Sequence, residues 1–569
     1  MTFVGGWNTL GRHQKMLPDP GQAARLGNNV CNKDETMREQ RAPIWMVSRE
    51  YGDLAGAGGV KDVARQLAEV LATQAGRPVR VALPSYGFIN PREYGFVLLE
   101  EPRFPGQPLQ FIVDMNYGAE EREERCRVWW RREEQVDLYL IEADRFREKY
   151  GVYTYGDGRG HYDYFAMNVL LQKSALELMI ILGEKPDVIH CHDGHTALIP
   201  ALIHQCPGWR GYFRETGCLV TIHNAGVGYH QEVDDLPFAQ AISGLPWREI
   251  TTCRLAGKFD PFLSAGRHAV LNTVSENYAR ELQETDADVL TDWLGHTLSQ
   301  NGVRLEGITN GISPDLFDPS KPEQMEIAAA FSPGDEDDAE LAGKKACKIH
   351  LLHTLAAGTV LAGTRQYGLV QPWQDAPLFT FVGRLSEQKG IDVLLATVLN
   401  LLRRHTGAQL LILGEGDDRY EQQLMRLAEG EDIHGRLCYL RGFNPKVANK
   451  VYAAGDFFLI PSRYEPCGLT DYIAQLFGNI PVVHHVGGLV KVVDSETGLA
   501  YQGNTPDNLL ACLERAMALY GNQGDMRRIQ RQAVRLISEK YTWKVVMEQY
   551  LSLYQRAKER RLRQLAAPA

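Results

Sequence analysis

At 569 residues the chain is too long for a single hydrophobic core, so two domains of similar size are the natural division. Apolar and charged fractions of 44% and 23% are ordinary for a soluble globular protein, no apolar run approaches a membrane span, and a net charge of -10 argues against a nucleic-acid partner, which needs a basic face. Ten cysteines without a CxxC pair or regular spacing fit free thiols in a reducing cytoplasm better than a disulfide framework.

Residues 1–43 differ from the rest. They hold Gly5-Gly6, Pro18-Asp19-Pro20 and a charged run up to Arg41, with no apolar core of a secretory signal. A poorly ordered extension is expected there. Met46 lies inside the first strand, so an upstream start codon is a second account of it.

The fold proper starts at Ile44–Ser48, a short apolar strand. A turn rich in glycine follows (Gly52, Gly56, Gly58, Gly59), and Val60–Ala72 has helical apolar spacing. Val79–Pro84 is the next strand. This is a βαβ unit whose helix opens at a bare-backbone turn suited to phosphate. A tight turn packed on the sheet explains the glycines as well, and neither a GxGxxG fingerprint nor a Walker loop is present. The stretch from Glu100 to Arg132 is charged and hairpin-like, Asp137–Ile141 resumes the sheet, and Asp163–Leu182 is predicted as a helix with one broad apolar face.

Three later strands end in polar residues at one sheet edge. Val188–His192 runs into Asp193-Gly194-His195, Leu219–Ile222 into His223-Asn224, and Ala269–Val274 into Ser275. The order His190-Cys191-His192-Asp193-Gly194-His195 invites a rival reading as the ligand set of a binuclear metallohydrolase. Its register is off by one, and that reading leaves the second half of the chain unexplained. Asp286-Ala287-Asp288 resembles a metal-binding DxD, but it sits in a charged helical region.

Residues 44–319 are therefore assigned to a first domain and 320–375 to a linker with approach helices, its Asp335–Asp338 acid run being a solvated loop. A second domain, 376–540, opens with the strand Leu378–Val382 and the loop Gly383–Gly390. That loop places Arg384 and Lys389 at a strand's carboxyl end, where two cations suit a diphosphate. Two more βα loops follow. The strand Phe457–Ile460 leads into Pro461, Glu465, Pro466 and Gly468, and the strand Ile480–Val483 leads into Val486-Gly487-Gly488-Leu489. In open α/β sheets that edge is where ligands bind. Two well-made loops without a ligand are the blander reading. Residues 541–569 are expected to form a helix crossing back to the first domain, with Lys558–Arg561 continuing into solvent.

The segments EPCGLT, VGGL, GRLSEQKG, HCHDGH, TIHNAG, NTVSENYAREL and GITNGI stand in the order found in bacterial glycogen synthases and plant starch synthases, and the resemblance spans about Ile44 to Arg556. It implies an α/β protein of two Rossmann-like doubly wound domains facing a cleft, the glycosyltransferase-B fold. It also implies a retaining glucosyltransferase that extends an α-1,4-glucan (glycogen or a maltooligosaccharide) from a sugar nucleotide, usually ADP-glucose, without cofactor, metal, nucleic acid or membrane. By resemblance, Arg384 and Lys389 neutralise the leaving diphosphate. Glu465 lies near the donor sugar, with Cys467, Gly468 and Leu469 beside it, and Gly487, Gly488 and Leu489 offer N–H groups. Gly58, Gly59 and Asp62 belong to the donor side as well. His192 faces the transferring glucose, and Asp193, His223 and Asn224 lie toward the acceptor. With no acid placed as a nucleophile, front-face attack is expected, the diphosphate helping to take the acceptor's proton.

Two departures matter. Gly56 stands where the family's first loop has a lysine near the donor phosphates, although Lys61 follows five residues later. Gly194 replaces an aromatic residue, which is expected to widen the acceptor side. A different donor or acceptor, or a catalytically silent carbohydrate-binding relative, are the alternatives.

Overall fold

The computed structural model describes residues 42–566 except 117–119, 157 and 339. The extension read over residues 1–43 thus lies outside the described residues, apart from Ala42 and Pro43.

The first sheet has ten strands. Its main members are β1 (Ile44–Val47), β2 (Val79–Pro84), β3 (Glu123–Glu133), β4 (Val136–Glu142), β5 (Val188–His192), β6 (Gly217–Ile222), β7 (Val270–Thr273) and β8 (Leu305–Gly307). Their spatial order is β8-β7-β6-β5-β1-β2-β4-β3. All neighbours are parallel except β3 and β4, and the short strands Val97–Leu98 and Gln110–Asp114 both pair with β3. Strand β1 is wholly buried, as a parallel strand covered on both faces must be.

Helix α1 (Val60–Thr73) buries Val63, Leu67, Val70 and Leu71 at helical spacing. Helix α2 (Tyr164–Ile181) departs from the expected single apolar face. It is buried nearly all round, including Lys173, whose ammonium donates to the Asp114 carbonyl at 2.9 Å. It alone among the described residues is long and apolar enough to cross a membrane, and it is a core helix of this domain. Helix α3 (Glu276–Glu284) follows β7, capped by the Ser275 hydroxyl, which accepts from Tyr278 N at 3.1 Å.

The second sheet has seven strands: β9 (Thr364–Val370), β10 (Leu378–Val382), β11 (Gln409–Gly414), β12 (Arg436–Gly442), β13 (Phe457–Ile460), β14 (Ile480–His484) and β15 (Leu499–Tyr501). The order is β9-β12-β11-β10-β13-β14-β15, parallel except where β9 runs against β12. Strand β9 corrects the assignment of 320–375 as linker and helices alone. Helix α4 (Ala342–Ala356) is present, but the segment also supplies this sheet's antiparallel edge. The alternation of Thr364–Val370 is interrupted by Gly368, whose φ of +63° lets the backbone pass close to the Ala428 and Leu437 carbonyls. Helices α5 (Ile391–Arg404) and α6 (Thr470–Leu476) follow β10 and β13.

Helix α7 (Trp543–Ala566) packs on the first sheet. Trp543, Val546, Met547, Tyr550, Leu553 and Tyr554 join that domain's core, and the Tyr554 hydroxyl lies 2.9 Å from His190 Nδ1. Gly217 at the start of β6 permits the approach, since a Cβ there would fall 2.7 Å from the backbone of Ala557 and Lys558. The charged run does not leave for solvent. Lys558 pairs with Asp187 at 2.6 Å, Arg560 donates to the Ala269 carbonyl at 2.6 Å and Arg561 to that of Arg214 at 2.7 Å. A carboxylate and backbone carbonyls of the first domain engage these cations, which sequence spacing alone left on an exposed helix end.

Ending the chain at Lys540 should therefore strip apolar cover from the first sheet. Limited proteolysis with mass-spectrometric mapping should show new cleavage within 44–319, whereas resistance equal to the full chain would disprove the dependence.

Candidate functional site

The carboxyl ends of the two parallel sheets face one cleft with two adjoining chambers. One, of ≈ 310 Å³, is lined by Glu465, Lys389, Asp193, His223 and Asn224. The other, of ≈ 580 Å³, is lined by Lys61, Asp62, Glu415 and apolar groups such as Phe317, Phe443 and Trp543. Gly58, Gly59, Arg384 and Leu469 border both.

The Glu465 turn is tightly made. Lys389 Nζ lies 2.5 Å from Glu465 Oε2, and the Ser462 hydroxyl donates to the same oxygen at 2.9 Å. Burial acts to raise the Glu465 pKa, but Lys389 and Ser462 outweigh it and hold the carboxyl below its ordinary value. The Lys491 ammonium, which the sequence reading missed, donates to the carbonyls of Cys467, Gly468 and Gly488 at 2.5, 2.8 and 3.1 Å and lies 3.1 Å from Asp471. Burial pushes the Cys467 thiol up to about 11, so it is neutral. Arg384 is exposed on the shared wall and has no hydrogen-bond or ion partner among the described residues.

The expectation that Gly487, Gly488 and Leu489 offer free N–H groups is corrected. Gly487 N donates to the Glu281 carboxylate of α3 at 2.9 and 3.1 Å, Gly488 N to the Glu465 carbonyl at 2.9 Å and Leu489 N to the Val486 carbonyl at 2.9 Å. Their bare backbone serves close packing instead. A Cβ on Gly487 or Gly488 would lie 2.0 Å from the Glu465 carbonyl oxygen or 2.1 Å from that of Cys467.

On the first-domain side His192 is set back from the cleft. It is 1% exposed, with Nδ1 2.9 Å from His223 Nε2, and His223 rather than His192 lines the chamber. Burial lowers His192 to about 3 and His223 well below its ordinary value, so both rings are neutral. The Asp193 carboxylate accepts from His223 N at 2.6 Å and Asn224 N at 3.4 Å, yet burial pushes it up to about 7. Gly194 does not widen the cleft, because the His230 carbonyl fills that space, 2.3 Å from where a Cβ would stand. Asp62 pairs with Lys61 at 2.9 Å.

The three histidines of the HCHDGH run do not converge as ligands. His190 lies between Tyr554 and Thr221, His192 against His223, and His195 stacks on Tyr153. Asp288 accepts from Gly295 N at 3.1 Å and His296 N at 2.8 Å, a structural task. Glu50 is a cleft residue the sequence reading overlooked. Its carboxylate accepts from Ala57 N at 2.7 Å and Gly58 N at 3.0 Å and so shapes the glycine turn. Its place just beyond β1, at the same sheet edge, was the available signal.

Residues 43–299 match the starch synthase catalytic domain family and residues 376–518 match glycosyl transferases group 1. The glycogen synthase of Anaeromyxobacter dehalogenans is 32% identical over 521 residues, 90% of this chain and 98% of that protein. The chain belongs to the glycogen synthase family. It is a glucosyltransferase, a hexosyltransferase of the glycogen and starch synthase type. The glycogen synthase of Aeromonas hydrophila is 30% identical over 535 residues, 90% of this chain and 98% of its own. In fold, this chain is similar to the catalytic domain of starch synthase IV from Arabidopsis thaliana, solved bound to ADP and acarbose. The TM-score is 0.75 at 24% identity, over 91% of this chain and 100% of that one.

The Lys389–Glu465 pair makes a signed pH prediction. A depressed carboxyl contributes stability above its unfolded pKa and loses it as pH falls through the folded value. Lys389→Met should cost about 3 kcal/mol at pH 7, as breaking a buried pair does. The gap to wild type should narrow at an acid pH, below the ordinary glutamate value of about 4.3, as the depressed carboxyl becomes protonated. Adding Glu465→Gln should recover most of it at pH 7. Urea melts at the two pH values measure this, and a pH-independent gap would contradict it.

Proposed function

We propose that the chain transfers glucose from ADP-glucose to the non-reducing 4-hydroxyl of an α-1,4-glucan, with retention at the anomeric carbon. The observation that carries this reading is Arg384, a cation without a hydrogen-bond or ion partner among the described residues, on the wall shared by a chamber that holds Asp193, His223, Asn224, Lys389 and Glu465 and a larger, more apolar one. The first suits a sugar, the second a nucleoside, and the wall between them a diphosphate. The relatives' names support the same donor and acceptor classes.

In the scheme we favour, the bond from the anomeric carbon to the diphosphate oxygen breaks as the acceptor O4 bonds to that carbon on the same face. The O4 proton passes to the departing diphosphate, and ADP leaves. Arg384 and Lys389 stabilise the developing negative charge without a metal ion. Glu465, tied to Lys389 and Ser462, is a fixed negative charge near the positive anomeric carbon rather than a nucleophile. His223, Asn224 and Asp193 hold sugar hydroxyls, and His192 positions His223. Nine described cysteines, all buried and free, fit a cytoplasmic setting.

Purified protein should transfer glucose from ADP-glucose faster than from UDP-glucose, to glycogen and to maltooligosaccharides. Transfer of another sugar, or none with any donor, would overturn the reading. Arg384→Ala should lower kcat about a hundredfold, roughly 3 kcal/mol of transition-state stabilisation, with an unchanged circular dichroism spectrum.

A further inference from the structure

The glycine turn before α1 carries no cation, and Lys61 is the second residue of the helix it opens. Its stem lies across Gly56. A Cβ built on Gly56 would be 2.1 Å from Lys61 Cδ and 3.1 Å from its Cβ and Cγ. The two positions therefore compete for one space, and a side chain at 56 would displace the lysine stem from its present path. Gly56 is not in the left-handed region, so its backbone conformation does not call for glycine. What the missing side chain provides is a seat for the Lys61 stem.

That seat brings Lys61 to the wall of the larger chamber, which it lines together with Arg384 of the second domain. The ammonium is held at 2.9 Å by Asp62, and the two side chains are 31% and 35% exposed. An ion pair so open to water is weak, so it orients the lysine without consuming it. A phosphate, with more charge and more acceptor oxygens, competes well for the same ammonium. The helix adds to this. Its N-cap, Gly59, has no side chain to satisfy the first-turn N–H groups, and the positive end of α1 borders the same chamber.

We propose that Lys61, seated on Gly56, is the first domain's contact to the diphosphate of the nucleotide donor, opposite Arg384, with Asp62 as its positioning residue. Lys61 stays protonated throughout. It stabilises the diphosphate as the bond to the anomeric carbon breaks, and forms no covalent bond. This inference rests on the nucleotide-sugar reading above.

The test uses the full chain and four variants: Lys61→Ala, Lys61→Gln, Asp62→Asn and the double variant Lys61→Ala/Gly56→Lys. ADP affinity is measured by calorimetry, kcat with ADP-glucose and glycogen, the acceptor KM with a maltooligosaccharide, and Tm by scanning. Lys61→Ala and Lys61→Gln should each lose at least tenfold in ADP affinity and in kcat, with acceptor KM and Tm unchanged. Glutamine retains the stem over Gly56, so its loss isolates the charge. The double variant should recover most of the ADP affinity, because a lysine at 56 enters the space that Lys61 vacates. Wild-type ADP affinity and kcat in Lys61→Ala would overturn the assignment and leave the transfer reading standing. Equal losses in Lys61→Ala and Asp62→Asn with a lowered Tm in both would mark a merely structural pair and also overturn it. A wild-type chain that neither binds ADP nor transfers glucose would overturn both.

Discussion

The site depends on one buried ammonium. Lys491 reaches carbonyls of two different loops, Cys467 and Gly468 from one and Gly488 from the other, with Asp471 as its counter-charge. A buried cation is costly unless its protons are all engaged. Here they are engaged only when the Glu465 turn and the Gly487-Gly488 turn lie together. Bare α-carbons at 487 and 488 let the two backbones meet, and the Glu465 carbonyl then accepts from Gly488 N. Glu465 is thus presented by two loops locked from behind, while Lys389 fixes its charge from the cleft side and the buried Ser462 hydroxyl from within.

The first domain grips the same assembly. Glu281 and Asn277 of α3 hold the Gly487 peptide at its N–H and carbonyl, and the Ser275 hydroxyl donates to the Pro466 carbonyl at 2.6 Å. Below them, Ile312 and Thr542 form a β-bridge where the chain crosses back into α7, and the Trp543 indole donates to Gln66 at 2.7 Å. The polar contacts near the cleft are few and hydrogen-bonded, while the crossing helix is buried in an apolar core. Opening the cleft therefore breaks hydrogen bonds that water can replace, whereas undocking α7 exposes apolar surface that it cannot.

Electrostatics in the cleft follow from burial. Desolvation keeps His192 and His223 neutral, and it brings Asp193 to about 7, so this acid is partly protonated near neutral pH. Glu465 stays ionised because Lys389, Ser462 and the charge of Lys491 outweigh its burial. The cleft thus presents little uncompensated negative charge to an anionic donor, in a chain whose net charge is -10.

The sequence by itself determined the two parallel sheets and the edge on which chemistry is placed. Continuous apolar runs such as Ile44–Val47 and Phe457–Ile460 have no solvated face, so they can only be inner strands. The residues after them, Arg384, Glu465, Asp193 and His223, then fall at the carboxyl edge. Local patterns did not reveal partners distant in the chain. Lys491 pairs with carbonyls more than twenty residues away, and Glu281 with an amide two hundred residues on. Strand β9 escaped notice because an edge strand needs no apolar run, and Lys558–Arg561 because charge on a helix usually means solvent. Which amides are already spent, which histidine reaches the cleft, and that Lys61 lies over Gly56 were decided by tertiary packing. Each depends on the space and hydrogen-bonding capacity left by neighbours that only the folded chain brings together.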